Sequence, residues 1–310
     1  MPQNRRYFIK TTAAATVGGL LIPLSETIAK KIEPTKAEAG YELLFMATDW
    51  GFEGSVDNFC EAAKREGYNG IEVWWPGVHP AQEALFAALK KHNLKVGFLC
   101  GASETDIQSH YNTFRENINA ALHNKYQQPL YINCHSGKDF FSYEENVLFI
   151  DYTTQKSKET GIPIYHETHR GRMLYSAPIT RQFMEKNLDL KLTLDISHWC
   201  VVHESLLNNQ QDTVHMAIER AGHIHARIGH AEGPQVNDPR ASEWQEALQA
   251  HLVWWDKIIE RKKLKGEKAT ILTEFGPPDY MPTLPYTHQP VANQWQINVY
   301  MMKLLRERYQ

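Results

Sequence analysis

The chain has 310 residues, enough for one large α/β domain or two small ones. Hydrophobic and charged contents of 42% and 22% are those of an ordinary soluble globular protein, and they exclude a fibrous or disordered one. The net charge is −3, and −7 without residues 1–36, which carry six Lys/Arg and two Asp/Glu; that leaves no basic footprint for nucleic acid.

The N-terminus reads as a targeting segment. Arg5-Arg6-Tyr7-Phe8-Ile9-Lys10 precedes an apolar Ala/Gly-rich stretch from about Thr11 to Leu24, the pattern of a twin-arginine export signal. The run is short for a membrane span, so no stable span is expected after processing. No Cys adjoins it, which argues against a lipid anchor, and Ala37-Glu38-Ala39 is a small-x-small cleavage candidate. The expected division is a signal and linker over 1–39 and one domain over 40–310, in a periplasmic or secreted protein. Cys60, Cys100, Cys134 and Cys200 show no zinc spacing. Buried free thiols are expected, with a Cys100–Cys134 disulfide as the alternative.

From Leu43 onward, strand-like and helix-like runs alternate. Leu43–Thr48, Gly70–Trp74, Leu94–Cys100 and Pro129–Cys134 are rich in β-branched, aromatic and aliphatic residues and bounded by turn residues. Between and after them lie helical patterns over Ser55–Glu66, Pro80–Lys91, Thr105–His123 and Tyr143–Thr160. Four further strands begin at Ile164, Leu192, His223 and Ile271, with helices near Pro178–Lys186, Asp212–Ala221, Ala241–Lys263 and Ala292–Arg308. Eight strands alternating with eight helices predict a single-domain (β/α)8 barrel, the TIM barrel. A doubly wound sheet is the alternative. It would bring a Gly-rich phosphate loop after the first strand, where the chain reads Ala47-Thr48-Asp49-Trp50-Gly51.

The last four strands each carry a polar residue at their C-terminal end: Glu167, Asp195, His225 and Glu274, at intervals of 28, 30 and 49 residues. One strand and its crossover take about 30 residues, so the spacing puts all four at one mouth of the barrel. Two Glu, one Asp and one His form a ligand set for a divalent cation such as Mn²⁺, Mg²⁺, Co²⁺ or Zn²⁺. Each residue alone has a plain structural reading, a salt-bridge partner or a satisfied core histidine. Four in series at barrel spacing do not. The long last interval holds His230–Arg240, read as an active-site loop. Trp50, Trp74, Trp75 and Trp199 fall near strand ends, where aromatic faces would suit a sugar ring.

Glu167, Asp195-x-x-His198, His225 and Glu274, with Gly67-Tyr68-Asn69-Gly70-Ile71-Glu72 on the second strand, resemble the xylose-isomerase-like barrel superfamily of sugar isomerases, epimerases, inosose dehydratases and endonuclease IV. The resemblance spans roughly Leu43 to Arg308. It implies one divalent metal held by Glu167, Asp195, His225 and Glu274, with the two glutamates also acting as the acid/base pair. It further implies that His198 and Arg227 contact the oxygens of a small carbohydrate. His135, His169, Arg170, His230 and Trp74 are further candidate substrate contacts. Endonuclease IV is matched at His135, Glu167, Asp195, His198 and His225, but its Asp-x-His after the seventh strand is absent where this chain has Asn237-Asp238-Pro239-Arg240. The expected function is a metal-dependent sugar isomerase or epimerase working through an enediolate. The alternatives are a sugar lyase or dehydratase using the same metal, and a non-catalytic carbohydrate-binding barrel. The oligomeric state is left open between a monomer and a homo-oligomer.

Overall fold

A computed structural model describes residues 39–310. The paired-arginine segment therefore lies outside the described residues. Eight parallel strands close into a barrel in sequence order: β1 Glu42–Thr48, β2 Gly70–Trp74, β3 Lys95–Gly101, β4 Ile132–His135, β5 Ile164–Glu167, β6 Leu192–Leu194, β7 Ala221–Ala226 and β8 Lys268–Thr273. Six residue pairs join β8 back to β1, from Glu42 opposite Lys268 to Ala47 opposite Thr273. Around the barrel stand α1 Val56–Glu66, α2 His79–His92, α3 Ile107–Leu122, α4 Tyr143–Thr160, α5 Ala177–Lys186, α6 Ser197–Val202, α7 Gln211–Arg220, α8 Gln245–Leu264 and α9 Gln294–Tyr309.

The helix boundaries follow local capping chemistry. Ser55 and Asp106 accept the backbone N–H groups of Asn58 and Ser109 at 3.2 and 2.9 Å, and Ser142 with Glu145 closes a capping box on α4. The predicted helices all form. One element is additional: the six-residue α6 begins directly after the Asp195-Ile196 turn, with no side-chain cap to announce it. All four cysteines are buried free thiols, including Cys100 and Cys134, which sit side by side on β3 and β4. Among the described residues, no helix is long and apolar enough to cross a membrane.

The helix ring encloses an apolar layer, but the barrel interior near the strand ends is polar and aromatic. Gly97 makes room there: a Cβ on it would meet the Tyr131 ring at 2.4 Å, and that ring lies 4.3 Å from the His223 imidazole.

One buried histidine outside this region sets part of the acid stability. On α8, His251 Nδ1–H donates to the Ala247 carbonyl at 2.8 Å, and Nε2 accepts the Gly229 N–H at 3.2 Å. Both nitrogens are committed to the neutral ring, and burial pulls the group from 6.5 down to about 4. Above pH 6.5 neither state binds the proton. Between 6.5 and 4 the unfolded chain takes it up and the folded chain refuses it, so stability falls as pH falls. This group should cost roughly 3 kcal/mol by pH 4. His251→Gln, whose amide oxygen can still accept from Gly229, should flatten the decline in urea-unfolding free energy over that window by this amount. An unchanged decline would refute the assignment.

Candidate metal centre

Glu167 closes β5, Asp195 follows β6, His225 lies in β7 and Glu274 follows β8, so four successive strands carry the four side chains to the C-terminal mouth. Their ligating atoms all lie within 4.8 Å of one another. His225 Nδ1 stands 2.9 Å from Glu274 Oε2 and 3.7 Å from Glu167 Oε2. Among the described residues, neither Nδ1 nor Glu274 Oε2 has a hydrogen-bond partner apart from the other, although both are buried from water. Two unspent polar atoms facing each other among three carboxylates is the arrangement a divalent cation would satisfy. The all-oxygen-plus-imidazole donor set fits Mn²⁺, Mg²⁺, Co²⁺ or Zn²⁺.

The protein supplies one strong cation of its own. Arg227 is 1% exposed, and its guanidinium contacts Asp195 Oδ2, with Glu274 Oε2 at 3.5 Å, Ser197 Oγ at 3.3 Å and His198 Nε2 at 2.8 Å. Burial pushes Asp195 up to about 6, with Arg227 pulling the other way. Burial also opposes ionisation of Glu167, but His135 and His225 outweigh it and hold the carboxyl well below its usual range. His225 is the converse case: burial disfavours its charge, yet Glu274, Glu167 and Glu72 together raise it well above 6.5. A cation would replace that proton.

Beside the cluster opens a cavity of about 210 Å³, lined by Thr48, Asp49, Trp50, Glu72, Val73, Trp74, Leu99, His135, Glu167, His169, Arg227, Glu274 and Tyr280. That is below the range of drug-sized ligand pockets and suits a single small ring. Trp50 and Tyr280 meet edge to face at 4.8 Å and form one wall. Gly276 is needed for it, since a Cβ there would lie 2.3 Å from the Trp50 ring. The Arg227 guanidinium sits 4.8 Å from the Tyr280 ring centre, and that of Arg170 sits 5.0 Å from it. A row of rings also borders the cavity, Trp74 to His135 at 5.3 Å and His135 to His169 at 4.8 Å, with His198 behind His169 at 3.9 Å. His135 Nε2 reaches Glu167 Oε2 at 3.1 Å.

Of the residues expected to contact substrate, Trp74, His135, His169 and Arg227 line the cavity and Arg170 does not, whereas His198 is wholly buried behind Arg227 and His169. His230 does not line it; its ring packs on Trp244 at 4.6 Å, and its backbone pairs with Gly233. The loop His230–Arg240 instead braces the site from behind. Gln235 accepts the Gly276 N–H at 2.7 Å and donates to its carbonyl at 3.2 Å. Trp75 packs on Phe98, and the buried Trp199 donates to the Leu174 carbonyl, so neither faces the mouth. Three residues of the site had no role assigned from sequence: Tyr280, Glu72 and Asn133. The Asn133 amide donates to Glu167 Oε2 at 2.8 Å and to Glu72 Oε1 at 3.2 Å.

No family model and no curated protein sequence matches the chain. Solved structures do. A 3-keto-D-glucoside 4-epimerase from E. coli matches with a TM-score of 0.57 at 13% identity, over 86% of this chain and 99% of that one. A D-allulose 3-epimerase from Methylomonas sp., in complex with D-allulose, matches with a TM-score of 0.58 at 14% identity, over 88% of this chain and 100% of the other. A probable 3-DHS dehydratase from Bacillus anthracis matches with a TM-score of 0.56 at 18% identity, over 86% and 99%. The chain shares the (β/α)8 barrel fold of these structures.

Proposed function

We propose that this protein is a metal-dependent sugar isomerase or epimerase acting on a free sugar or keto-sugar. The observation that carries the reading is the clustering of two glutamates, from β5 and β8, with Asp195 and His225, where both glutamates line a ring-sized cavity. Glu167, Asp195, His225 and Glu274 would hold the metal, which when bound supplies a Lewis acid for the negative charge that develops on a carbonyl oxygen during enolisation. The chain's own groups do the rest. Glu167 and Glu274 are separated by three strand positions around the ring, so their carboxylates approach a bound carbon from different sides and can remove and return its proton. Asn133 and His135 hold Glu167 in place, and Trp50, Trp74 and Tyr280 offer faces to a sugar ring. The paired arginines near the N-terminus support an exported enzyme.

A sugar lyase or dehydratase is the second reading, supported by the dehydratase among the structural neighbours. Elimination begins with the same proton abstraction and differs in losing a neighbouring oxygen substituent. NMR of free hexoses, keto-sugars and 3-keto-glycosides in D₂O with Mn²⁺- or Co²⁺-loaded protein separates the two. Deuterium beside a carbonyl with an isomeric product is the expected result. An unsaturated or deglycosylated product moves the assignment to a lyase. Absence of exchange in every sugar, with either metal, would favour a carbohydrate-binding barrel.

A further inference from the structure

Beside the cluster, the barrel carries a fourth carboxylate that the proposed chemistry does not use. Glu72 is 3% exposed, in the middle of the interior, where an unpaired charge is costly. Its Oε1 lies 3.1 Å from His225 Nε2 in a hydrogen bond, and its Oε2 lies 3.2 Å from His223 Nε2. The opposite edge of the His225 ring, Nδ1, faces Glu274 and Glu167. A carboxylate can only accept, and the Asn133 amide nitrogen 3.2 Å from the same Nε2 directs its two hydrogens to Glu72 Oε1 and Glu167 Oε2, so the hydrogen of this bond sits on Nε2. The lone pair of the neutral ring is then on Nδ1, at the cluster. Imidazole ligands of metals commonly donate their second N–H to a carboxylate in this way, which fixes ring orientation and strengthens the ligand.

We infer that Glu72 is a positioning residue that holds His225 with its hydrogen on Nε2 and its Nδ1 presented to the metal cluster. The inference rests on the metal-centre reading above. His223 backs the arrangement: its Nδ1 is 2.7 Å from Thr270 Oγ1 and 2.9 Å from the Thr270 carbonyl, which ties this ring to β8 and keeps its Nε2 beside Glu72. Asn133 donates to both Glu72 Oε1 and Glu167 Oε2, so the buried carboxylate is linked to a ligand as well as to the imidazole. Against a purely structural role stands the direction of the contacts. Among the described residues Glu72 has no Lys or Arg partner, and its bonds run to His225 and to the amide that also holds Glu167.

Glu72, His223 and His225 also lie close enough to hold an ion among themselves, and among the described residues Glu72 Oε2, His223 Nε2 and the Tyr131 hydroxyl have no hydrogen-bond partner. A second buried cation is therefore the rival to be tested. The experiment is a Zn²⁺ titration of metal-stripped wild type and Glu72→Gln against a chromophoric chelator, with ¹⁵N-histidine NMR of the zinc-loaded proteins. The expected result is one ion per chain in both, bound about 10- to 100-fold more weakly by the variant, and a wild-type His225 signal with hydrogen on Nε2 that shifts or broadens on substitution. Unchanged circular dichroism would show that the variant is folded. Should Gln not fold, Glu72→Asp keeps the charge, draws the oxygen back from Nε2 and should weaken binding in the same direction. Affinity within twofold of wild type, or a His225 signal with hydrogen on Nδ1, would overturn the inference while leaving the metal centre intact. Two ions in wild type, one of them lost with Glu72, would overturn it in favour of the second cation. A wild type that binds no ion would remove the metal reading itself.

Discussion

Replacing Arg227 by Met should destabilise the metal-free protein by about 3–5 kcal/mol. The guanidinium is wholly buried and is the only Lys or Arg in ion-pair contact with Asp195 and Glu274 among the described residues. Methionine fills most of the volume but leaves both carboxylates facing each other and Glu167 without a fixed positive charge. The cost is thus an uncompensated buried charge rather than a lost contact. Two further measurements distinguish these. Adding Asp195→Asn to the variant should recover a large part of the loss, because it removes the charge that Arg227 neutralises. Saturating Mn²⁺ should also stabilise the variant, by about 2.7 kcal/mol at a hundredfold excess over its dissociation constant, since a cation takes over part of the same work. The urea midpoint of the metal-stripped proteins is the readout. A loss below 1 kcal/mol would mean that Asp195 is neutral in the folded chain and that Arg227 contributes mainly packing.

The four-residue cluster was legible in the sequence because of where its members sit. Glu167, Asp195, His225 and Glu274 each terminate a short apolar run, and a barrel brings successive strand ends together whatever the intervening helices do. The closed strand order follows from the regular alternation of strands and helices, and period-2 alternation turns His223, His225 and Arg227 to the same side of β7 and its end. What stayed hidden depends on contacts between distant segments. Glu72 and Asn133 lie inside strands, and their partners are 153 and 34 residues away, in His225 and Glu167. Tyr280 sits in the loop after β8 with no periodic signal, and contacts with the Trp50 ring, Arg227 and Arg170 give it a place at the mouth. His230 misled for the opposite reason: it occupies a plausible loop, but Trp244, at the start of the next helical segment, captures its ring. The loop's contribution comes through Gln235, an amide with no chemical signature in sequence, whose two hydrogen bonds fix Gly276 next to Glu274.

The two glutamates should separate cleanly when each is changed to Gln. Glutamine keeps an oxygen that can face a cation but cannot carry a proton at neutral pH, so metal binding should survive while turnover falls by about 10²- to 10⁴-fold, or roughly 2.7–5.5 kcal/mol of barrier. A deuterium-exchange measurement sharpens the expectation. If Glu167 and Glu274 work on opposite faces of the carbon, each serves the hydrogen of one epimer. Glu167→Gln should then abolish washout of that hydrogen from one epimer and leave it in the other, and Glu274→Gln should do the reverse. Loss of exchange from both epimers in both variants, with metal bound, would mean that one carboxylate serves both faces and the other only orients the substrate. Full turnover in either variant would remove that glutamate from the proton path. The held geometry favours complementary loss: Glu167 is fixed by Asn133 and His135 on the β4 side, and Glu274 lies against Arg227 on the β7 side. Neither can swing to the other's position without abandoning a buried partner. An unpaired buried donor or acceptor costs about 1–3 kcal/mol, which is enough to keep each carboxylate on its own face through a catalytic cycle.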